Sequence, residues 1–285
     1  MITKRNWGYT ILSILFLSFI VAIIILPFMH MVAVSFSDSS SVLRGKVGIL
    51  PVNFNLKMYQ AVFQNEALIL SYANTIFYTV VGTAMSLAIT STGAYALSRK
   101  EILGHKIFSF MILFTMFFSG GMIPTYLVVR ELGMLDTIWA VLLPGVVSTW
   151  NFIIMRSFFQ AFPKEIEEAG SMDGLNDIGV FFRLVVPSSS AVFATIGLYY
   201  AVAMWNAYFG PFIYLNDKAL FPLQLVLREV IAIGSSSTDG GTDVELVSSA
   251  LKYATIIVAI VPIMMVYPFI QKYFAKGVMV GSIKG

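Results

Sequence analysis

Few residues of this chain could carry out catalysis, and they form no recognisable site. The chain has no cysteine and only two histidines, His30 and His105, which lie far apart in the sequence. It contains neither a phosphate-binding loop of the GxxxxGKS/T type nor an HExxH zinc motif. No motif marks either histidine as the base of a catalytic triad. Both histidines are expected to be interfacial or loop side chains. The sequence therefore predicts no catalytic residue, no metal site and no cofactor bound by this chain.

The most polar segment between two long hydrophobic runs comprises residues 163–187. Its first proline and the glutamates that follow favour a short helix, because carboxylates stabilise the positive end of the helix dipole. Asp173 and Gly174 predict a stop and a turn, and Asn176 or Asp177 can cap a second helix. This helix-turn-helix could insert an apolar edge into a partner protein, and a loop that packs on its own helices is the alternative. The edge consists of Ile166, Ala169 and Met172.

The elements that must position this segment are predicted to be membrane-spanning helices. Hydrophobic residues make up 58% of the chain and charged residues 12%, against roughly 25% charged in soluble domains. Six runs are long enough to cross a bilayer as helices of roughly 20 residues. The first is too long for a cleaved signal peptide, so we expect a retained anchor. The runs are Tyr9 to Val34, Leu70 to Leu97, Ile107 to Val129, Thr137 to Met155, Leu184 to Tyr214, and Tyr253 to Phe269.

The distribution of charge predicts both the orientation and the energy source. Most of the 18 lysines and arginines flank one set of run ends, which places both termini and residues 163–187 in the cytoplasm. These basic residues are scattered and form no block that would indicate nucleic-acid binding. The six runs contain no Asp, Glu, Lys or Arg, whereas ion-coupled carriers place functional ionisable groups there. The energy for any uphill transport should therefore come from a partner at the cytoplasmic surface.

The stretch "EEAGSMDGLNDIGVFFRLVVP" resembles the EAA loop in the permease subunits of ATP-binding-cassette (ABC) importers. The chain departs from that pattern at Gly170 and Leu175, where the family usually has alanine, and at Val186, where leucine is common. Stretches such as "FSGGMIPTYLVVRELGMLDTIWAVLLPG" and the closing "VMVGSIKG" are similar to the carbohydrate-uptake branch, closest to its lipo-oligosaccharide and polysaccharide-oligosaccharide type. The residues that match the EAA pattern are Glu168, Ala169, Asp173, Gly174 and Pro187.

The resemblance implies an all-α polytopic fold with six transmembrane helices, of the type I importer class. Residues 1–69 would form a first helix and an extracellular loop, and 70–275 a core of five helices with the coupling loop. Residues 276–285 would form a cytoplasmic tail that reaches the ATPase or, alternatively, is a frayed end. The residues expected to couple to the ATPase are Glu167, Glu168, Ala169, Gly170, Asp173 and Gly174. Those of the tail are Gly281, Ser282 and Lys284.

The resemblance also implies partners in a bacterial cytoplasmic membrane. These are a second homologous permease subunit, two ABC ATPase subunits that bind ATP and magnesium, and an extracellular, lipid-anchored solute-binding protein. The chain would contact membrane lipid and an oligosaccharide, and no nucleic acid. A secondary transporter or channel, which would work without an ATPase, and a membrane enzyme are the alternative classes.

The fifth run carries the side chains that we expect to line a sugar pathway. Tyr199 and Asn206 lie close to one helical face with Thr195, and Trp205 and Tyr208 lie near the outer end. Aromatic rings stack on sugar faces and amides bind hydroxyl groups without a net charge, which favours a neutral oligosaccharide. Tyrosine and tryptophan at this depth also serve as interfacial anchors, and that alternative stays open.

Overall fold

Every regular element in the described part of the chain is helical. The structure, a computed structural model, describes residues 7–236, 251–265 and 268. Contacts divide the chain into two units, Met1–Leu68 with Leu227–Ile263 and Ile69–Val226 with Met264–Gly285. In chain order the helices are α1 (Trp7–Ser35), α2 (Ser39–Leu43), α3 (Lys57–Gln64), α4 (Glu66–Ala96), α5 (His105–Phe117), α6 (Met122–Glu131), α7 (Trp139–Leu142), α8 (Thr149–Gln160), α9 (Lys164–Met172), α10 (Asp177–Val180), α11 (Val186–Ser188), α12 (Ser190–Trp205), α13 (Phe209–Tyr214), α14 (Leu223–Ser236) and α15 (Leu251–Met265).

Two helices are long and apolar enough to cross a membrane on their own, α1 and α4. Two bent pairs reach the same length and composition: α5 with α6, at 119°, and the helix Asp177–Ser188 with α12, at 83°. The shorter α15 is also apolar. The described residues therefore contain between two and four spans by these criteria, and the predicted count of six stays a prediction.

The third, fourth and fifth hydrophobic runs are not single straight helices, which corrects the sequence-based boundaries. The fifth bends by 83° before α12 and ends in the separate helix α13. The third breaks before α6, where Gly121 has a φ of +85° that glycine adopts without strain. The fourth contains α7 and the first half of α8, with non-helical residues between them. Pro144 lies in that gap and cannot donate a backbone hydrogen bond to a continuing helix. Hydropathy reports apolar length, and it does not locate such breaks.

The first unit has a small core at the end of α1. Ala33 and Val34 are buried against Val47, while most of the earlier α1 side chains are exposed. A helix that is hydrophobic on all sides is typical of a membrane span. Beyond α1, the ring of Phe36 stacks on Phe54 and Tyr59, with centroids 5.4 and 4.8 Å apart. The segment after the first span is therefore folded onto the end of α1.

The larger core of the second unit lies where α8, α12 and the helix Asp177–Ser188 meet. Met155, Phe159, Val185 and Ile196 are fully buried there, with Ala94 at the end of α4. The helix Asp177–Ser188 includes a π-helical turn at Phe181–Val185, which widens the backbone within this core.

A second core fixes the segment that follows α13 to the side of α4. The hydroxyl group of Tyr78 donates to the carbonyl of Leu220, at 2.9 Å. The amide of Asn74 donates to the carbonyls of Ala219 and Phe221, at 2.7 and 3.1 Å. These side chains satisfy carbonyls of a segment that forms no long helix of its own.

Candidate functional site

The polar segment folds as two helices joined by a tight turn, as its sequence predicts. The helix α9 follows Pro163 and ends at Asp173, where Gly174 has a φ of +83°. The N–H of Gly174 donates to the carbonyl of Ser171 at 3.1 Å, and the N–H of Leu175 to that of Gly170 at 3.0 Å. This pair of bonds is the Schellman arrangement, which satisfies the last carbonyls of a helix.

The second helix is capped as predicted. The side chain of Asn176 accepts a hydrogen bond from the N–H of Gly179, at 2.8 Å. The helix then continues to Ser188 and enters the core through Phe181 and Val185. The turn is thus fixed at both ends, one by the closing bonds of α9 and the other by this cap.

Gly170 lies at the contact between the two helices. A β-carbon built on it would lie 2.5 Å from Cδ1 of Leu184 and 3.4 Å from Cγ2 of Val180. The leucine therefore occupies the space that an alanine methyl group would need at this position. Position 170 therefore carries glycine, where the family usually has alanine, at a point where the side chain of Leu184 packs against the backbone.

Two ion pairs connect α9 to the segment that follows α4. Arg99 pairs with Glu167, and both side chains are largely buried, with 18% and 16% of their surface exposed. The guanidinium carbon of Arg99 also lies 4.9 Å from the centre of the Tyr95 ring. Lys164 pairs with Glu101 at 3.2 Å. Glu167, predicted as an ATPase-coupling residue, therefore faces its own chain, and sequence reasoning missed its partner.

Glu101, the partner of Lys164, has a carboxyl pKa below its ordinary value. Its own backbone N–H is the largest cause that lowers the pKa of its carboxyl, followed by Lys164. Around these side chains lies a groove of about 550 Å3 whose wall includes Ser171 and Asp177. The groove is thus lined by both charged and polar groups.

Both helices carry exposed apolar side chains. Ile166 and Met172 of α9 are 41% and 88% exposed, and Ala169 between them is exposed as well. The second helix exposes Ile178 and Phe182. The structure therefore confirms the predicted exposed edge. Glu168, Asp173 and Gly174 are exposed, whereas Gly170 is buried. The predicted tail residues Gly281, Ser282 and Lys284 lie outside the described residues.

A separate cavity of about 430 Å3 lies among α7, α8, α12 and α13. Of the predicted pathway residues, only Tyr199 lines it. Trp205 is buried with its ring edge towards Tyr72, and Asn206 donates its amide to the carbonyl of Val202 at 2.8 Å. The ring of the fourth, Tyr208, stacks on Phe212. The structure therefore does not bring the four predicted residues together.

The polar residues that line this cavity come from α8, its cap, α12 and the end of α13. Ser148 caps α8 and accepts from the N–H of Asn151 at 3.4 Å. The hydroxyl group of Tyr200 accepts from the N–H of Ser148 at 3.0 Å and shares a hydrogen bond with Thr90 at 2.7 Å. None of the described residues that line the cavity is charged. Asn151 was not among the residues that the sequence predicted to line a pathway. A local signal lies three residues before it, where Ser148 is a residue type that caps the start of a helix.

Comparison with known proteins gives close relatives over the whole chain. No protein-family model matches it. Protein LplC of Bacillus subtilis (strain 168) is 44% identical over 286 residues, which cover 99% of this chain and 97% of LplC. The polygalacturonan/rhamnogalacturonan transport system permease protein YtcP of the same strain is 41% identical over 285 residues, covering 99% of this chain and 100% of YtcP.

A solved structure also matches the fold. It is a crystal structure of a bacterial ABC transporter involved in the import of the acidic polysaccharide alginate. One chain of that transporter superposes with a TM-score of 0.89 and 33% sequence identity, and the match covers 96% of this chain and 99% of that one. The resemblance noted in the EAA-like loop therefore extends to the whole chain.

Proposed function

Since this chain belongs to the permease subunits of carbohydrate ABC importers, we propose that it forms half of a translocation pathway for oligosaccharides, with a second homologous permease as the other half. It is a multi-pass protein of the cytoplasmic membrane and is not itself the ATPase. In this proposal an extracellular, lipid-anchored solute-binding protein delivers the sugar. Two ABC ATPase subunits bind ATP and magnesium and supply the energy.

The observation that carries the proposal is the exposed apolar face of α9, held by two ion pairs and a tight turn. Met172 is 88% exposed, and Ile166 and Ala169 of the same helix are exposed with it. Apolar side chains exposed together are typical of a surface that a partner covers. We propose that this face docks in a cleft of the ATPase, with Glu168, Ala169, Asp173 and Gly174 at the contact. Glu167 would fix the orientation of α9 through its ion pair with Arg99.

The substrate that we propose is a fragment of a complex polysaccharide. YtcP is named for polygalacturonan and rhamnogalacturonan, and the solved transporter for alginate. Within this chain the cavity beside Tyr199 is lined by uncharged residues, so it suits hydroxyl groups and sugar ring faces. We propose that this half of the pathway contacts neutral surfaces of the sugar.

The proposal includes six membrane spans with both termini in the cytoplasm. The pair α5 and α6 would form one span, because a broken helix is tolerated in a membrane where it is buried in protein or lines a cavity. The helix α12 would form another, and the helix Asp177–Ser188, which is bent by 83° from it, would lie on the cytoplasmic side. The helix α15 and residues 137–160 would contribute the remaining two. Residues 163–187 then lie on the cytoplasmic side, where an ATPase can reach α9.

Substitution of Gly174 by proline tests the proposal. Proline cannot adopt the φ of +83° and removes the N–H that bonds to Ser171. Gly133 is a matched control, since it has a φ of +65° and donates its N–H to the carbonyl of Arg130 at 2.9 Å. We expect Gly174→Pro to reach the membrane but to lose both co-purifying ATPase and sugar uptake, and Gly133→Pro to keep the ATPase.

Two outcomes would contradict the proposal. Normal uptake and ATPase co-purification by Gly174→Pro would mean that the turn does not present the coupling face. Sugar transport by the purified permease in liposomes without an ATPase would favour a secondary transporter. The measurements are affinity purification of the complex and uptake of labelled sugar by cells that express each variant.

A further inference from the structure

The cavity among α7, α8, α12 and α13 contains polar side chains in two different states. The hydroxyl group of Tyr200 has two protein partners, Thr90 and the backbone of Ser148. Ser148 in turn caps α8 through its side chain. These groups hold the wall of the cavity together, and their hydrogen bonds are made within the chain.

Asn151 differs from them. Its residue surface is 6% exposed, and its side chain lines the cavity. Its backbone N–H bonds to Ser148, but its side-chain amide has no hydrogen-bond partner in the part of the chain that the structure describes. The amide is not among the fully enclosed polar atoms that lack a partner, so it is open to the cavity. An amide in this position is available to bond a molecule that enters the cavity.

We propose that Asn151 is a sugar-contacting residue of the translocation pathway, and this inference rests on the proposed function. Its amide carries two N–H donors and a carbonyl acceptor, and a sugar hydroxyl group both donates and accepts. One amide can therefore bond two neighbouring hydroxyl groups of a passing sugar. The ring of Tyr199, which is 39% exposed, lines the same cavity and offers a face for stacking.

The chemistry of the cavity separates this ligand from other classes of solute. A desolvated ion or a charged amino acid would need a compensating charge, and the described residues that line the cavity carry none. A purely apolar solute would leave the amide unpaired. The volume of about 430 Å3 lies within the roughly 300–1,000 Å3 of small-molecule sites. An uncharged, hydroxyl-rich ring satisfies both the amide and the aromatic face.

The test uses the complete importer reconstituted in liposomes with its binding protein. The probes are a labelled neutral trisaccharide and labelled trigalacturonic acid. Asn151→Leu removes the amide and keeps a similar volume, and we expect it to slow sugar uptake about 5-fold to 10-fold, the effect of one net hydrogen bond. Its thermal unfolding temperature should be unchanged or higher, because the amide has no hydrogen-bond partner to lose among the residues that the structure describes.

Two further variants distinguish a contact from a structural role. Tyr200→Phe lines the same cavity but removes a hydroxyl group that is bonded within the chain, so it should lower the unfolding temperature. Asn151→Asp keeps the shape of the side chain and adds a negative charge. It should slow trigalacturonic acid more than the neutral trisaccharide, since carboxylates repel each other. A structural defect would slow both sugars equally.

Three results would overturn the inference. Uptake by Asn151→Leu at the wild-type rate would show that the amide does not bind the sugar. A lower unfolding temperature, or loss of the second permease from the purified complex, would show that the amide bonds within the protein assembly. Transport of neither sugar by the wild-type importer would overturn the proposed function and this inference with it, whereas the first two results leave that function standing.

Discussion

Replacement of Gly170 by alanine tests how closely the two helices of residues 163–187 approach. The new methyl carbon would lie 2.5 Å from Cδ1 of Leu184, whereas non-bonded carbons rest about 3.5–4.0 Å apart. Alanine favours a helix interior over glycine by about 1 kcal/mol, and overpacking destabilises by about 1–3 kcal/mol. We therefore expect Gly170→Ala alone to range from neutral to about 2 kcal/mol destabilising.

A second substitution isolates the contact. In a Leu184→Ala chain the obstructing carbon is gone, so Gly170→Ala should now stabilise α9 by about 1 kcal/mol. The difference between the two backgrounds is the interaction energy of a double-mutant cycle, about 1–3 kcal/mol. Ala169→Gly is the control, since this exposed neighbour should destabilise α9 by about 1 kcal/mol in both backgrounds.

Hydrogen exchange of the α9 amides in the purified permease without its ATPase measures these differences. Exchange through local opening reports the free energy of the segment, and a tenfold change in rate corresponds to about 1.4 kcal/mol. If the effects of Gly170→Ala and Leu184→Ala add within about 0.5 kcal/mol, the close approach of the two helices is refuted. The same result would leave the position of Gly170 without a packing explanation.

Arg99 and Glu167 form a largely buried ion pair, so Glu167→Lys places two cations together and should lower ATP-driven uptake. Adding Arg99→Glu should restore part of the uptake, and no restoration would mean that the pair does not position α9. The charge distribution predicts that Thr3→Cys resists an impermeant thiol reagent in intact cells while Ser39→Cys reacts, and external labelling of Thr3→Cys would reverse the orientation. Two backbone N–H groups lower the pKa of Asp136, so its stabilising contribution is fully present above the unfolded value of about 3.9 and is lost as the pH falls through the lower folded value. The difference in unfolding temperature between wild type and Asp136→Asn should stay constant from about pH 8 to about pH 5, and a difference that shrinks over that range would contradict this cause.

Local signals explain why the two helices and the turn of residues 163–187 could be predicted from the sequence. A proline, a run of carboxylates, an Asp-Gly pair and an asparagine cap all act within a few residues of one another, and each favours the observed turn. The structure adds only the partner of each side chain. The long apolar helices α1 and α4 were predicted for a similar reason, since their hydropathy is continuous along the chain.

Contacts between distant residues explain what the sequence could not predict. Arg99 and Glu167 are 68 positions apart, and Thr90 and Tyr200 are 110 apart. No periodicity in either segment indicates such a pairing. Helical spacing placed Asn206 on the face of Tyr199, but the helix α12 ends at Trp205, so the next amide bonds back to its own last turn. The cavity is instead completed by Asn151 from another helix.

The order of α8, α9 and α12 along the chain shows how a displacement of α9 can change the shape of the cavity, although the hydrophobic runs contain no Asp, Glu, Lys or Arg. The helix α8, which carries Asn151, ends at Gln160, three residues before the proline that precedes α9. At its other end α9 passes through the Gly174 turn into the helix Asp177–Ser188 and then α12, which carries Tyr199. Both walls of the cavity are thus covalently joined to α9, one at each end.

From Asn151 to the end of α8 is about 14 Å along a single helix. Helices transmit displacement along their axes as rigid elements, so an ATPase that displaces α9 would act on both sides of the cavity at once. The ion pairs to Arg99 and Glu101 would set how far α9 can move relative to α4.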